Sequence, residues 1–385
     1  MYPYLHDFFN DVFGTNWQLP FPMFGFWVAM AFLGANYIFT IELKRKEALG
    51  LMSPVTVNKM IGEKLKPMEL FTNGIIGFLL GYKGVHAFFN YEDLVANPQE
   101  FLFSAAGSTV GGLIIAAVSV YFKYRDGKKQ ELPQPKEVQE TIHPHQYVGN
   151  MTLIAAIGGI LGAKLFHNLE NPHELMADPV GALLSFSGLS IFGGLIVGGI
   201  SVVLYARKKN LSLVHIVDAC APGLLLAYGI GRIGCQLAGD GDWGIPNDAP
   251  MPDWLSFLPE WMWAYDYPNN INGVDLKTDF ARMGYESITG RAWPTPFYET
   301  VMALVLFGIL WKLRTIITVP GRIFSIYLFM IGIERFFIEK IRINPDYHFF
   351  GISATQAEII SIVLMIAGIA GWFLSSRNKD LAKVS

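Results

Sequence analysis

Two arginines lie within stretches of the sequence that are otherwise apolar. Arg232 stands between Gly231 and Gly234, and Arg335 is followed four residues later by Glu339. An ionisable side chain inside a lipid bilayer is costly, so each one needs a partner or a function. Guanidinium binds phosphate in a bidentate fashion and keeps its charge. The pattern predicts a two-arginine clamp for a lipid phosphate, with Glu339 orienting Arg335 and the glycines leaving room for the ligand.

Three further polar side chains flank these apolar stretches. Asp240 lies in a glycine-rich acidic turn, and Tyr298 and Glu299 fall in the first turn of a helix that begins with proline. That turn is the positive end of the helix dipole, which favours an anion, and we assign Tyr298 and Glu299 to substrate binding. The alternative interpretation is structural: one arginine pairs with Glu339, and the other pairs with Asp240 or extends to water.

A pair of basic side chains occurs twice. Lys83 and His86 recur 81 residues later as Lys164 and His167, within two stretches that match at many positions. Such internal similarity in one direction indicates a hairpin of two helices that was duplicated. We predict that these pairs contact lipid headgroups or pack the hairpin, and assign Lys164 and His167 to substrate binding.

The composition favours a membrane protein with helices throughout. Hydrophobic residues make up 52% of the 385 residues and charged residues only 16%, which is more apolar than a soluble domain needs. An all-α bundle of about nine membrane-spanning helices is predicted, at residues 22–42, 69–90, 104–124, 149–168, 186–206, 213–236, 295–313, 320–341 and 353–375.

The distribution of basic residues predicts the orientation. Lys and Arg follow each odd-numbered span, whereas the loops near 91–103 and 169–185 contain neither. The positive-inside rule then places the N-terminus outside and the C-terminus in the cytoplasm. Residues 1–42 contain no Lys or Arg, so we expect no cleavable signal peptide.

These spans divide the chain into segments. We predict a periplasmic interfacial segment (1–21), a first span with the duplicated hairpin (22–126), a cytoplasmic linker (127–148), a core with the Gly-Arg-Ile-Gly motif (149–236), a periplasmic cap (237–294), the C-terminal spans (295–376) and a cytoplasmic tail (377–385).

Five motifs, in order, resemble those of the bacterial prolipoprotein diacylglyceryl transferases. They are Gly188 to Ile196 with Gly193-Gly194 (family G-x-S-x-H-G-G-L-I), Asp218 with Ala221-Pro222 and Gly231 to Gly234 (D-x-x-A-P…G-R-[IL]-G-N), Asp240 with Trp243-Gly244, Pro294 to Glu299 (H-P-[ST]-Q-L-Y-E), and Arg335 with Glu339 (R-x-x-x-E). The family has seven spans, so the duplicated hairpin at 69–124 accounts for the two additional ones.

The resemblance implies a multi-pass protein of the bacterial inner membrane that acts on phosphatidylglycerol and the lipobox of a prolipoprotein signal peptide. The cysteine thiol of the lipobox would displace phosphoglycerol and form a thioether, as one step of lipoprotein maturation. Arg232 and Arg335 would stabilise the leaving phosphate without a metal or cofactor. Asp240 or Glu339 would accept the thiol proton, and Gly193 and Gly194 would contact the substrate. Nucleic acid is not an expected partner.

Five positions differ from the family motifs. The two His positions hold Phe192 and Trp293, the Asn position holds Cys235, the Gln position holds Pro296 and a Tyr position holds Ile331. Cys235 is either a new nucleophile or a packing residue. Besides the transferase, the sequence leaves open a diverged relative that binds phospholipid or lipoprotein as a scaffold, and a transporter, which the repeat suggests.

Overall fold

A computed structural model describes residues 1–185, 188, 190–344, 346–349 and 352–376. Its helices, in chain order, are α1 Leu5–Phe13, α2 Met23–Ala48, α3 Pro67–Phe89, α4 Tyr91–Ala96, α5 Pro98–Phe103, α6 Thr109–Gln130, α7 Val148–Glu170, α8 Pro172–Ala177, α9 Pro179–Leu184, α10 Ile191–Lys208, α11 Leu213–Ala238, α12 Leu276–Arg282, α13 Thr295–Leu313, α14 Arg322–Glu339 and α15 Gln356–Leu374.

The chain is a helical membrane protein with several spans. A long helix covers most of every predicted span, and six helical segments in the described residues combine the length and apolar composition to cross a bilayer: Met23–Ala48, Pro144–Glu170, Ile191–Lys208, Leu213–Ala238, Thr295–Leu313 and Gln356–Leu374. The long helices α3, α6 and α14 are not among the six. The total of nine spans and the N-out orientation therefore stay predictions.

The all-α prediction is wrong at two places, where small antiparallel sheets form. Strand β1, Val55–Ile61, pairs with β2, Lys136–Ile142, in a register that runs from Val55↔Ile142 to Ile61↔Lys136. Strand β2 lies in the segment predicted as a polar linker. The sequence did not predict this strand, because its partner lies 75 or more residues away in the chain and the segment is too polar to indicate a buried strand. Strands β3, Asp346–Phe349, and β4, Ile352–Thr355, form the second sheet.

The chain folds into two compact units. The first comprises Met1–Ser53, Pro144–Leu153 and the described residues from Val202 onward, and the second comprises Pro54–His143 and Ile154–Ser201.

Helix α11 is the centre of the first unit and packs against α2, α13 and α14. Ala221 and Leu225 of α11 form a buried cluster with Leu310 of α13 and Ile323 of α14. Asp218, near the start of α11, holds the beginning of α14 in place. Its carboxylate accepts hydrogen bonds from the backbone N–H groups of Gly321 (2.7 Å) and Phe324 (2.9 Å). Such capping satisfies N–H groups that a helix leaves unpaired at its start.

The predicted cap, residues 237–294, has an aromatic core of its own. Trp243, Tyr267, Leu276, Phe280 and Ala292 are buried together. Tyr267 donates from its hydroxyl to Gln236 Oε1 at the end of α11, over 3.0 Å. The cap is therefore a packed element attached to the end of α11.

The second unit contains the first copy of the duplicated hairpin and most of the second, and the contacts of the two copies match. A Cβ added at Gly77 would meet Ser119 Oγ (2.6 Å), and one at Gly158 would meet Ser201 Oγ (2.8 Å). Two short helices follow the first helix of each copy, α4 and α5 after α3 and α8 and α9 after α7. Repetition at the level of contacts supports the duplication inferred from the sequence.

Candidate active site

The turn that follows α11 brings a carboxylate back over that helix. Gly239 ends α11 in the left-handed conformation (φ 63°), and Gly241 also has a positive φ of 98°. Two glycines with positive φ, separated only by Asp240, reverse the chain within one turn. Glycine adopts this conformation without strain. Asp242 thereby faces Arg232, ten residues earlier in the chain.

Arg232 is held by two carboxylates. Its Nη1 contacts Asp242 Oδ2, and its Nε lies 2.9 Å from Glu299 Oε2. The guanidinium carbon also lies 5.4 Å from the centre of the Tyr228 ring. The alternative that paired Arg232 with Asp240 is wrong about the partner, because the turn presents Asp242 instead.

Glu299 joins the two predicted arginines. Its side chain, in the first turn of α13, is fully buried (0% exposed), and Oε1 lies 3.1 Å from Arg335 Nη1. Arg335 Nη2 in turn lies 3.1 Å from Glu339 Oε2, and Glu339 Oε1 accepts a hydrogen bond from Asn344 (2.6 Å). The structure therefore brings Arg232 and Arg335 together, with a carboxylate between them that the sequence analysis had assigned to the substrate.

Arg342 is a third arginine of this site, and the sequence analysis missed it. Its Nη2 lies 2.7 Å from Asp242 Oδ1 and its Nη1 lies 3.4 Å from Glu299 Oε1. The signal was present: Arg342 follows an even-numbered predicted span, where the alternation of charge predicts no cation. A basic residue on the wrong side of a span asks for a local partner.

The charges of this network shift the pKa values of Asp242 and Arg342, the two members that lie outside the helices. Burial alone would raise the pKa of Asp242, but the guanidinium groups of Arg232 and Arg342 lower it to about 2. Burial likewise opposes the charge of Arg342, yet the carboxylates of Asp242 and Glu299 raise its pKa. Asp242 is thus ionised throughout the physiological range.

The network balances three guanidinium groups against three carboxylates. Side-chain exposure differs among its members: Glu299 and Glu339 are 0% exposed and Arg232 and Arg342 about a tenth, whereas Arg335 is 24% and Asp242 30% exposed. Arg335 and Asp242 are therefore the members that a ligand can reach first.

Asp240 lies beside the network and is not one of its ion-pair partners. Its Oδ1 accepts the backbone N–H of Asp242 over 3.4 Å. Burial, together with the negative charge of Asp242, raises the pKa of Asp240. A raised pKa makes the Asp240 carboxylate a better proton acceptor than an unperturbed aspartate, which suits the predicted role in proton transfer.

Cys235, Asp240 and Asp242 offer one set of potential metal ligands. One ligand atom from each lies within 4.8 Å of the others. However, Arg232 Nη1 contacts both Asp242 and the Cys235 sulfur (3.7 Å). A permanent cation at this position disfavours a metal ion between the three side chains. The arrangement fits the anion-binding interpretation better.

The predicted substrate-binding glycines fall into two groups. A Cβ at Gly231 would meet nothing within 4 Å, as expected for open space beside Arg232. One at Gly234 would lie 2.9 Å from Trp27 of α2, so α2 fills the space predicted for a ligand. In the second unit, Gly193 and Gly194 face Gly162 and Gly159 of α7, and their small size permits close helix packing.

The remaining predicted residues make structural contacts. Tyr298 donates its hydroxyl to the Met262 carbonyl in the cap (2.8 Å). Lys164 donates to Ser185 Oγ (2.6 Å), and His167 lies 3.3 Å from Glu174 Oε2, all within the second unit. For the Lys/His pairs, the hairpin-packing alternative agrees with these contacts. The first copy behaves alike, since Lys83 donates to three backbone carbonyls at its own hairpin end.

Comparison with known proteins connects this geometry to one family. A family model described as prolipoprotein diacylglyceryl transferase matches residues 133–374. A phosphatidylglycerol–prolipoprotein diacylglyceryl transferase of Clostridium tetani is 31% identical over 224 residues, which are 58% of this chain and 78% of the relative. Proteins of the same name from Corynebacterium efficiens (29% identity, 61% of this chain, 70% of the relative) and Dehalococcoides mccartyi (27%, 60% and 77%) are also similar.

The match contains the whole arginine network and begins after the first copy of the hairpin. Residues 69–124, the first copy of the hairpin, lie outside the matched range. With the model covering more than half of the 385 residues, this chain belongs to the prolipoprotein diacylglyceryl transferase family.

Proposed function

We propose that this protein transfers the diacylglyceryl group of phosphatidylglycerol to the thiol of a lipobox cysteine in a prolipoprotein. The single observation that carries the proposal is the meeting of Arg232 and Arg335 at the Glu299 carboxylate, inside a chain of this family. The names of its relatives support the two substrates.

In the proposed reaction, the thiol sulfur attacks the glycerol carbon that carries the phosphate. The carbon–oxygen bond breaks, its electron pair leaves with phosphoglycerol, and a thioether forms. Negative charge grows on the leaving phosphate, so fixed guanidinium groups lower the barrier. The contacts above use Nε and Nη1 of Arg232 and both Nη atoms of Arg335. Each guanidinium has five N–H groups, which leaves donors for phosphate oxygens.

The carboxylates of the network position these donors. Glu299 and Glu339 hold Arg335 from two sides, and Asp242 and Glu299 do the same for Arg232. Preorganised donors avoid the cost of reorientation during the reaction. Of the two carboxyl groups predicted to accept the thiol proton, Glu339 is occupied by Arg335 and Asn344, whereas Asp240 has no ion pair within the network.

The proposed location is the outer face of the bacterial inner membrane. With nine spans and an external N-terminus, the end of α11 that carries the arginine network and the cap faces outward. A lipobox cysteine would then meet lipid of the outer leaflet. Gly231 and Tyr298 are proposed to border the lipid, whereas Gly193, Gly194, Lys164 and His167 are proposed to pack the hairpin of the second unit.

A scaffold is the second candidate, since Phe192, Trp293, Cys235, Pro296 and Ile331 replace polar residues of the family motifs. In this case the arginines would bind phospholipid without chemistry.

Purified protein in phosphatidylglycerol vesicles, given a labelled lipobox peptide, separates the two candidates. The transferase predicts a thioether product whose rate of formation falls at least about 100-fold in Arg232→Ala and Arg335→Ala, as expected for loss of a transition-state donor. Arg291→Ala, which removes an exposed arginine paired with Glu260 in the cap, should keep the wild-type rate. Lipid binding without product in the wild-type protein would favour the scaffold. Wild-type rates in both arginine variants would exclude the clamp.

A further inference from the structure

One buried carboxyl group beside the arginine network has no guanidinium partner. Glu334, on α14, is 4% exposed, and its Oε1 accepts a hydrogen bond from the Tyr228 hydroxyl over 3.3 Å. Its Oε2 is buried without a hydrogen-bond partner among the residues that the structure describes. A buried polar atom left unpaired in this way is costly, so it calls for an explanation.

Apart from Asp240, the other carboxylates at this site are committed to cations. Asp242, Glu299 and Glu339 each lie within ion-pair distance of one or more arginines. A permanently charged partner keeps a carboxylate ionised and makes it a poor proton acceptor. Glu334 has no such pair, so it is free to take up a proton and release it again.

Tyr228 connects Glu334 to the clamp. It lies four residues before Arg232 on α11, about 6 Å along the helix axis, and its ring faces the guanidinium at 5.4 Å. Unlike Glu334, Tyr228 is only partly buried. Its hydroxyl donates to the Glu334 carboxylate, so a proton can pass between the two side chains.

We propose that Tyr228 and Glu334 together accept the proton of the attacking thiol, an inference that rests on the proposed transferase function. The thiol passes its proton to the Tyr228 oxygen as the tyrosine proton moves to the Glu334 carboxylate. The resulting thiolate forms the carbon–sulfur bond, and the electron pair of the breaking carbon–oxygen bond leaves with the phosphate. Glu334 then releases its proton to the departing phosphoglycerol or to water. Tyr228 is the catalytic residue, and Glu334 acts through it.

The positions of these groups suit an in-line displacement. The guanidinium groups that would hold the leaving phosphate lie toward the Asp242 turn, whereas Tyr228 lies one helical turn farther from it. The thiol is placed at Tyr228 and the phosphate at the guanidinium groups, because an in-line displacement needs the sulfur and the leaving oxygen on opposite sides of the glycerol carbon. Asp240, on the turn itself, lies on the side of the leaving group.

The charged groups that act on Glu334 are Glu299 of α13, Arg232 of α11 and Arg335 of its own helix. None of these three groups is replaced in Glu334→Gln or Tyr228→Phe. Changes in rate with pH then report on the proton acceptor and on the thiol, which has a pKa near 8.5 in an unperturbed cysteine.

The experiment measures thioether formation by the full chain in phosphatidylglycerol vesicles from pH 6.5 to 9.5, for wild-type protein, Glu334→Gln and Tyr228→Phe. Loss of a proton acceptor should slow the reaction about 100-fold or more at pH 7. Above the thiol pKa the deficit should shrink to a few fold, because the thiol is then ionised without help. A structural role would give a deficit that does not change with pH. The matched control is Tyr327→Phe, which removes a hydroxyl from α14, the helix of Glu334, where Tyr327 packs against the buried cluster that contains Leu225. This variant should keep the wild-type pH profile.

Three outcomes would overturn the inference. In the first, Glu334→Gln stays within threefold of the wild-type rate at pH 7. In the second, its deficit is the same at every pH, like that expected for Arg335→Lys. In the third, Asp240→Asn alone shows the deficit that high pH repairs, which assigns proton transfer to Asp240. If wild-type protein forms no thioether at any pH, the proposed function falls together with this inference. Thioether formation that is independent of Glu334 removes the inference alone.

Discussion

Replacing Glu299 by Gln removes one negative charge from between three guanidinium groups with little change in side-chain size. Glu299 is fully buried and lies within 3.4 Å of nitrogens from Arg232, Arg335 and Arg342. In the wild-type protein the network holds three cations and three anions. The variant retains three cations and two anions in the same buried volume, so one positive charge has no counter-ion.

The size of the effect follows from burial. Breaking a buried ion pair by removing one partner costs about 3–5 kcal/mol, and 1 kcal/mol lowers the Tm of a mid-sized domain by roughly 2–4 °C. We therefore expect Tm to fall by about 6 °C or more. Adding Arg342→Gln restores the balance at two cations and two anions, so the double variant should recover part of this loss.

Thermal unfolding in detergent measures the prediction, with Glu260→Gln as the control. Glu260 pairs with Arg291 in the cap, and their side chains are 66% and 38% exposed. An exposed pair contributes about 0–1 kcal/mol, so this control should change Tm by no more than about 4 °C. Equal shifts in Glu299→Gln and Glu260→Gln, or additive losses in the double variant, would refute the idea that Glu299 is the counter-ion at the centre.

Three further predictions follow from the structure. Gly162→Leu should cost about 1–3 kcal/mol and lower Tm, because a Cβ there would overlap a carbonyl of the facing helix, whereas Gly84→Leu meets open space and should not. Asp218→Ala leaves two N–H groups at the start of α14 without an acceptor, which should cost about 2–4 kcal/mol and speed proteolysis near residue 320. Asp242 has a pKa of about 2 when folded, below its unfolded value. Its contribution, on the order of 2 kcal/mol, is complete above about pH 4 and is lost as pH falls toward 2. The difference in Tm between wild-type protein and Asp242→Asn should therefore narrow below pH 4, and a constant difference would contradict the assignment.

Much of the fold followed from local patterns. The apolar stretches predicted the long helices because length and composition are properties of each segment. The duplication was visible since Lys, His and Pro recur in register, and the copies form the same Gly–Ser contacts. The β1–β2 ribbon was not predicted because its stability depends on pairing between segments far apart in the chain, which neither segment reveals alone.

The arginine clamp was predicted from the cost of charge in lipid, but its partners were not. Asp242 and Asp240 are two residues apart, and only the backbone of the Gly239–Gly241 turn selects Asp242 as the partner of Arg232. Arg342 and Glu334 were recognised only from the structure. The packing of α14 on α11 and α13 brings both side chains to the arginine network.

The sequence by itself determined that the chain lies in a lipid bilayer, where its helices are, and which charged residues need a function. Each of these depends on composition and spacing along one segment. The tertiary structure decided which charged groups neutralise each other and which carboxyl groups, such as that of Glu334, have no counter-ion. Coulomb energy depends on distances between side chains from different helices, and those distances exist only after the helices have packed.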